Sequence, residues 1–251
     1  MKSWWLGGLL SLLCYLGFLL AQLPAQAVVN ALPLPAPLRL EGVQGSLWRG
    51  EVDRLRWGPE QLDRVRWHLP VTSLLWLAPS LELEFGRRQG LNGQGVASVG
   101  LGGQLSLEGW QVSLDAEDLV PRLPLPIPLQ GSGQLQLSLP EASLTAKGCE
   151  AVKGTLRWRG ASLLTPAGEL PLGEPVLTLS CRGGKLIGKL QQSSDSLSLS
   201  GEGEWGWDGR YQFKGKLTPG PAMPADMRST LAMLGRPDSR GVVTLNVNGR
   251  L

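Results

Sequence analysis

The chain has 251 residues, a formal net charge of +3 and 18% charged residues, so no global field demands a nucleic-acid partner. Apolar residues make up 42%, enough for a core, which excludes general disorder. With 34 Gly and 19 Pro against 2 Tyr and 3 Phe, the composition predicts many turns and few long helices.

The N-terminus is the first element. Lys2 precedes an uncharged stretch from Trp4 to Ala21, and the next charge is Arg39. About 20 mostly apolar residues in a helix span a bilayer core, and a helix satisfies its own backbone there. The reading is a transmembrane helix over residues 4–23, with residues 1–3 in the cytoplasm beside the positive charge of Lys2. Trp4 and Trp5 suit the interfacial aromatic belt. A cleaved signal peptide competes, because Pro24-Ala25-Gln26-Ala27 offers a cleavage site after Ala27. Both alternatives export the same domain. A Pro-rich linker over 24–41 follows, with Leu32-Pro33-Leu34-Pro35-Ala36-Pro37-Leu38 at its centre.

Beyond the linker, period-two alternation dominates. Arg64-Val65-Arg66-Trp67-His68-Leu69 sets Val65, Trp67 and Leu69 against Arg64, Arg66 and His68. Runs at 104–108, 134–139, 195–200, 202–207, 211–217 and 242–251 alternate in the same way. Asp208-Gly209 is the best single hairpin turn. Ser73 to Ala78 reads as one helical turn ended by Pro79. Pro224 to Leu234 is the best soluble helix, with Met227, Leu231 and Leu234 on one face and Gly235 as its cap. One apolar and one polar face signal antiparallel sheet, and no βαβ rhythm appears. The expected fold is therefore an all-β domain built from a curved antiparallel sheet whose apolar faces cover one another.

Two motifs recur. Leu32–Leu38 is echoed by Leu123-Pro124-Leu125-Pro126-Ile127-Pro128-Leu129 and by Leu170-Pro171-Leu172-Gly173-Glu174-Pro175-Val176, all read as extended edge segments. Val43-Gln44-Gly45-Ser46-Leu47-Trp48-Arg49-Gly50 aligns with Val152-Lys153-Gly154-Thr155-Leu156-Arg157-Trp158-Arg159-Gly160 after one insertion. Their common order predicts two tandem β repeats, 42–145 and 146–251.

Catalytic inventory is poor. The chain's one histidine, His68, sits on an alternating strand beside Arg64 and Arg66, where no nucleophile–base arrangement is legible. Glu82 and Glu84 share a face but read as a solvated edge. Gly90 to Gly95 lacks the Lys-Ser/Thr of a phosphate loop and reads as a turn. With one His and no Cys-x-x-Cys, neither a metal nor another cofactor is expected. Cys14 lies in the apolar stretch. Cys149 and Cys181 are either a disulfide, which an oxidising compartment permits, or two buried thiols; the disulfide is the expectation. Arg54 and Arg56 precede Trp57, and Arg64 and Arg66 precede Trp67. If the two strands pair around Gly58-Pro59-Glu60-Gln61, four guanidiniums cluster on one face and could meet anionic headgroups or an acidic patch on a neighbouring subunit. The competing reading is a solvated face neutralised by Asp53 and Asp63.

These residues resemble a family. A short cytoplasmic start, one span, a Pro-rich stretch and Gly42-Val43-Gln44-Gly45-Ser46-Leu47-Trp48-Arg49-Gly50 are similar to the opening of type II secretion system protein N, also called general secretion pathway protein N. Val65-Arg66-Trp67-His68-Leu69-Pro70 leading to Leu74-Leu75, Gly154-Thr155-Leu156 with Cys149 and Cys181, and Leu231 to Asp238 followed by Gly241 continue the likeness. These motifs are Gly, Leu and Trp in turns and strands, and none is catalytic.

The resemblance implies a single-pass inner-membrane component with a periplasmic β domain, an accessory and non-enzymatic part of the machine that exports folded proteins across the outer membrane. Its implied partners are other subunits of the inner-membrane platform. A second function class stays open, a membrane-anchored lipid-binding or lipid-transfer protein. Long β-groove proteins of the AsmA-like group share the Pro-rich lead-in and Gly-x-Leu-x-Leu style, and an apolar concave sheet could cradle acyl chains.

Overall fold

The computed structural model describes residues 8, 11–12, 15, 17–19, 22–31, 33, 35–58, 60–75, 79–87, 90–122, 129–165, 168–223, 237–239 and 241–250. The chain forms two compact units, Met1–Arg87 and Arg88–Leu251. Every pairing between named strands is antiparallel within each unit, as the alternation predicts. The protein is mostly β.

The expected span over 4–23 lies largely outside the described residues. Of those described there, Gly8, Ser11, Leu12, Tyr15, Gly17, Phe18 and Leu19 are helical, whereas Gln22 lies in a turn and Leu23 is irregular. Among the described residues no helix is long and apolar enough to cross a membrane. The predicted helix at 224–234 and most of the second Pro-Leu motif also lie outside the described residues.

In the first unit a helix, Ala25–Ala31, occupies part of the segment read as linker. Its Ala-rich sequence favours helix, and Pro24 supplies the start, accepting from Ala27 and Val28. Strands β1 (Leu38–Gly45), β2 (Arg49–Trp57), β3 (Glu60–His68) and β4 (Ser80–Gly86) follow as a meander, with a short helix, Val71–Leu75, between β3 and β4. Apolar rows cross the strands: Leu40 faces Leu55, which faces Leu62, and Val43 faces Val52, which faces Val65. Val52 is the buried centre.

Between those rows the ladder skips a rung. Gly42 has φ +71° and Arg64 has φ +48°, and both fall opposite Asp53 in the register. Extending the β3–β4 register brings Gly86, at φ +91°, opposite Arg64. Left-handed backbone thus lines up across three strands. Glycine supplies it freely at two of them, and Arg64 adopts it at a cost an L-residue seldom accepts in a strand.

The second unit contains β5 (Asn92–Val99), β6 (Leu105–Asp115), a short helix Ala116–Leu119 with a 3₁₀ turn Val120–Arg122, and two long strands, β7 (Gln130–Thr145) and β8 (Gly148–Thr165). Next come β9 (Gly168–Gly173), β10 (Val176–Arg182), β11 (Lys185–Ser193), β12 (Leu197–Trp205), β13 (Arg210–Pro219) and β14 (Val243–Arg250). Spatial order follows chain order except at β9. That strand pairs with Ala161–Thr165 of β8, while Lys153–Arg157 of β8 pair with β10. The Asp208-Gly209 turn joins β12 to β13 as expected, with the Gly206 amide donating to the Arg210 carbonyl at 2.8 Å.

Punctuation misleads in one respect, because much of the glycine and some proline lies inside strands. The expected turn at Gly90–Gly95 is mostly the start of β5. Pro140 sits within β7 where the β7–β8 register shifts, a bulge that spares the missing donor. Aromatic rings cover several strand glycines: Trp110 lies on Gly95, Phe213 on Gly201 and Gly215, and Trp205 on Gly188 and Gly203. The two halves of the second motif have different settings. Val43–Gly50 bends from β1 into β2, whereas Val152–Gly160 runs within β8.

Two apolar clusters stabilise this unit. Ala161, Leu170, Leu172, Leu197, Leu217 and Met223 form one, packed against Trp158 and Leu245. Ala142, Cys149 and Val152 centre the other. The third Pro-Leu motif therefore contributes core through Leu170 and Leu172 on β9. Gln192 is also buried, and its Nε2 donates to the carbonyls of Leu172 at 2.9 Å and Leu197 at 3.0 Å. It ties β9 and the start of β12 to β11.

Candidate interaction surfaces

The β2–β3 hairpin forms around 58–59, with Trp57 paired to Glu60, and it carries the four arginines singled out by sequence. Its register decides what each one meets. Arg54 faces Glu41 on one side and Asp63 on the other. Its Nη1 donates to Glu41 at 2.8 Å, and its Nε stands 3.9 Å from Asp63. Arg56 shares Glu41 at 3.6 Å. Arg66 faces Glu51 on β2 and Glu84 on β4, at 3.4 and 3.6 Å. Arg87 reaches Asp63 at 3.7 Å. Arg54 and Arg56 are thus brought together on one carboxylate, and Arg66 lies past the skipped rung with its own two. Arg64 has no ion pair among the described residues. The result is a ladder of alternating charge whose side chains are nearly half-exposed, so each pair contributes about 1 kcal/mol or less.

His68 continues that ladder. Its Nδ1 lies 3.0 Å from Glu82, and its Nε2 lies 3.5 Å from Arg49. Glu82 and Glu84 are therefore partners of His68 and Arg66. Among the described residues no group of three or more His, Cys, Asp or Glu side chains is placed to hold a metal.

Cys149 and Cys181 are joined in a disulfide between β8 and β10, with Cα atoms 6.0 Å apart. The competing reading of two free thiols is set aside.

Sequence reasoning passed over a second surface. In the second unit an open trough of about 730 Å³ crosses β6, β7, β8 and β10. Gln111, Ser113, Gln136, Ser138, Thr155 and Thr178 supply polar groups, and Lys153, Arg157 and Arg159 supply charge. No carboxylate lines it. Lys153 points its ammonium to Glu141 at 2.7 Å. That hydrogen bond, together with the Glu141 charge, holds Lys153 above the ordinary lysine range. Arg157 and Arg159 are exposed and have no ion pair or side-chain hydrogen bond among the described residues. Their alternation with Trp158 was visible in the sequence, but the absence of an acidic neighbour depends on register.

Comparison with known proteins gives a consistent picture. The family model for the type II secretion system (T2SS), protein N, matches residues 36–246. A type II secretion system protein N of Aeromonas hydrophila is 44% identical over 245 residues, covering 96% of both chains. That of Pectobacterium carotovorum subsp. carotovorum is 34% identical over 251 residues, covering 100% of this chain and 99% of the relative. That of Vibrio cholerae serotype O1 is 33% identical over 238 residues, covering 91% of each. No solved structure matches.

Proposed function

The chain belongs to the type II secretion system protein N family, and from that premise we propose that it is a single-pass inner-membrane protein whose two β units act in the periplasm by contact with other subunits of the inner-membrane platform. As a member, it is a component of the general secretion pathway and of the cell envelope, a structural part and not an enzyme.

The observation that carries the periplasmic placement is the Cys149–Cys181 disulfide, a bond that persists in oxidising compartments. The N-terminal segment supports the anchor. Leu12, Tyr15, Phe18 and Leu19 are helical, and all four are exposed, as apolar side chains facing lipid would be. In this reading residues 1–3 stay in the cytoplasm, residues 4–23 cross the bilayer, and the helix is retained instead of being cut after Ala27.

The contact in the first unit runs through Arg54, Arg56, Arg64 and Arg66. The pairing of Arg54, Arg56 and Arg66 with Glu41, Glu51, Asp63 and Glu84 supports a protein partner of alternating charge over an anionic lipid surface. The trough in the second unit sets Lys153, Arg157 and Arg159 beside Val112, Leu137, Pro140, Val152 and Leu179, a mixed lining that does not single out acyl chains.

Reporter fusions test the placement. Alkaline phosphatase joined after Leu251 is expected to be active, with the fusion in the membrane fraction at full length. Inactive phosphatase alongside a fluorescent cytoplasmic reporter at the same site would overturn the orientation, and a soluble periplasmic product lacking its first residues would overturn the anchor. For the contact, replacing all four arginines with Gln is expected to lower co-purification of the platform subunits; unchanged assembly would end that proposal.

A further inference from the structure

The two arginines of the trough differ from Arg54, Arg56 and Arg66 of the hairpin ladder in one respect: neither has an ion pair among the described residues. Arg157 and Arg159 stand on β8 opposite Gln136 and Gln134 of β7, and those two amides are themselves bonded at 2.7 Å, so both rows share one face. Uncompensated guanidiniums in a carboxylate-free depression form a site of positive potential.

We propose that this trough receives an extended, acidic segment of a partner protein, read by Arg157 and Arg159. Residues two apart on a strand lie about 6.6–6.8 Å apart, the same repeat that separates carboxylates at alternate positions of an extended peptide. Each guanidinium can take one carboxylate with two parallel hydrogen bonds. Thr155 continues the line of Arg157 and Arg159 along β8, and Ser138 and Thr178 flank it on the neighbouring strands, so hydroxyl donors and acceptors lie along the same track. Lys153 adds less, because Glu141 already holds its charge. Two guanidiniums set along a line fit a peptide with repeated charge better than a single phosphate, on which they would have to converge. The inference goes beyond the membrane placement and does not depend on it.

The test uses the full chain in detergent and fluorescence anisotropy with a labelled synthetic peptide that alternates Glu and Thr. The expected result is binding that weakens as salt rises, is about tenfold weaker or more in R157Q/R159Q, and is lost when the peptide alternates Gln and Thr. R182Q, which removes an exposed arginine paired with Glu202 in the same unit, should bind as the parent does. R157K/R159K keeps the charge without the planar fork and should fall between. Equal binding by R157Q/R159Q, or no binding by the parent chain, would overturn the proposal. So would capture of phosphatidylglycerol vesicles that depends on both arginines while the peptide does not bind. Should the double variant lose its fold in a thermal melt, R157Q and R159Q singly must each weaken the peptide, and failure of both to do so overturns the proposal.

Discussion

The ring of Trp205 on β12 lies across Gly188 on β11, so closely that a β-carbon on Gly188 would stand 2.8 Å from Cζ3. A β-carbon on Gly203, two residues before Trp205, would stand 2.7 Å from Cη2 of the same ring. Gly188→Ala must therefore push the indole off its seat. The expected destabilisation is about 1–3 kcal/mol by urea unfolding, the usual cost of overfilling a packed site. An unchanged midpoint would mean that the ring yields freely.

Gln192 gives a second prediction. Its amide serves the carbonyls of Leu172 and Leu197, both within a buried region. Gln192→Ala leaves two acceptors without that donor and opens a void, for a loss of about 2–3 kcal/mol. A fall in the thermal midpoint measures it, and a variant as stable as the parent refutes the role.

The disulfide gives a third. Cys149 and Cys181 are separated by 32 residues, and closing a loop of that length contributes about 3–4 kcal/mol in the chain-entropy model. The C149S/C181S pair should lose that much in urea, and the parent should lose it on reduction. Reduction should leave C149S/C181S itself unaffected, which separates the bond from any general effect of the reductant.

Lys153 sets a pH window. Its folded pKa lies above the ordinary lysine value, through the hydrogen bond and charge of Glu141. A raised value means the pair's contribution is complete below the unfolded pKa and is lost as pH climbs through the folded one. Stability curves of the parent and E141Q should accordingly run parallel through neutral pH and converge only in alkali. Convergence near neutrality would contradict the pairing.

Much of this architecture was legible because one strand reveals its own two faces. Val65, Trp67 and Leu69 against Arg66 and His68, and the Asp208-Gly209 turn, needed only local periodicity. What lay beyond reach was identity across the ladder. Nothing local announces that Arg54 meets Glu41 and Asp63, or that Arg157 falls between Gln136 and Val176 and Arg159 beside Gln134, because strand register sets those neighbours. Glycine misled for a related reason. Gly95 reads as part of a turn, and only Trp110 on the neighbouring strand reveals it as a seat for a ring. Arg64 shows the limit most plainly, since its side chain suits an alternating run while its backbone, at φ +48°, departs from one.

From β11 onward, each strand lies beside the one made just before it. Most pairings there close over short stretches of chain, so little loop entropy is lost before contacts form. A polypeptide supplied from its N-terminus could zip this half shut hairpin by hairpin, and no late segment would be required to complete an early one.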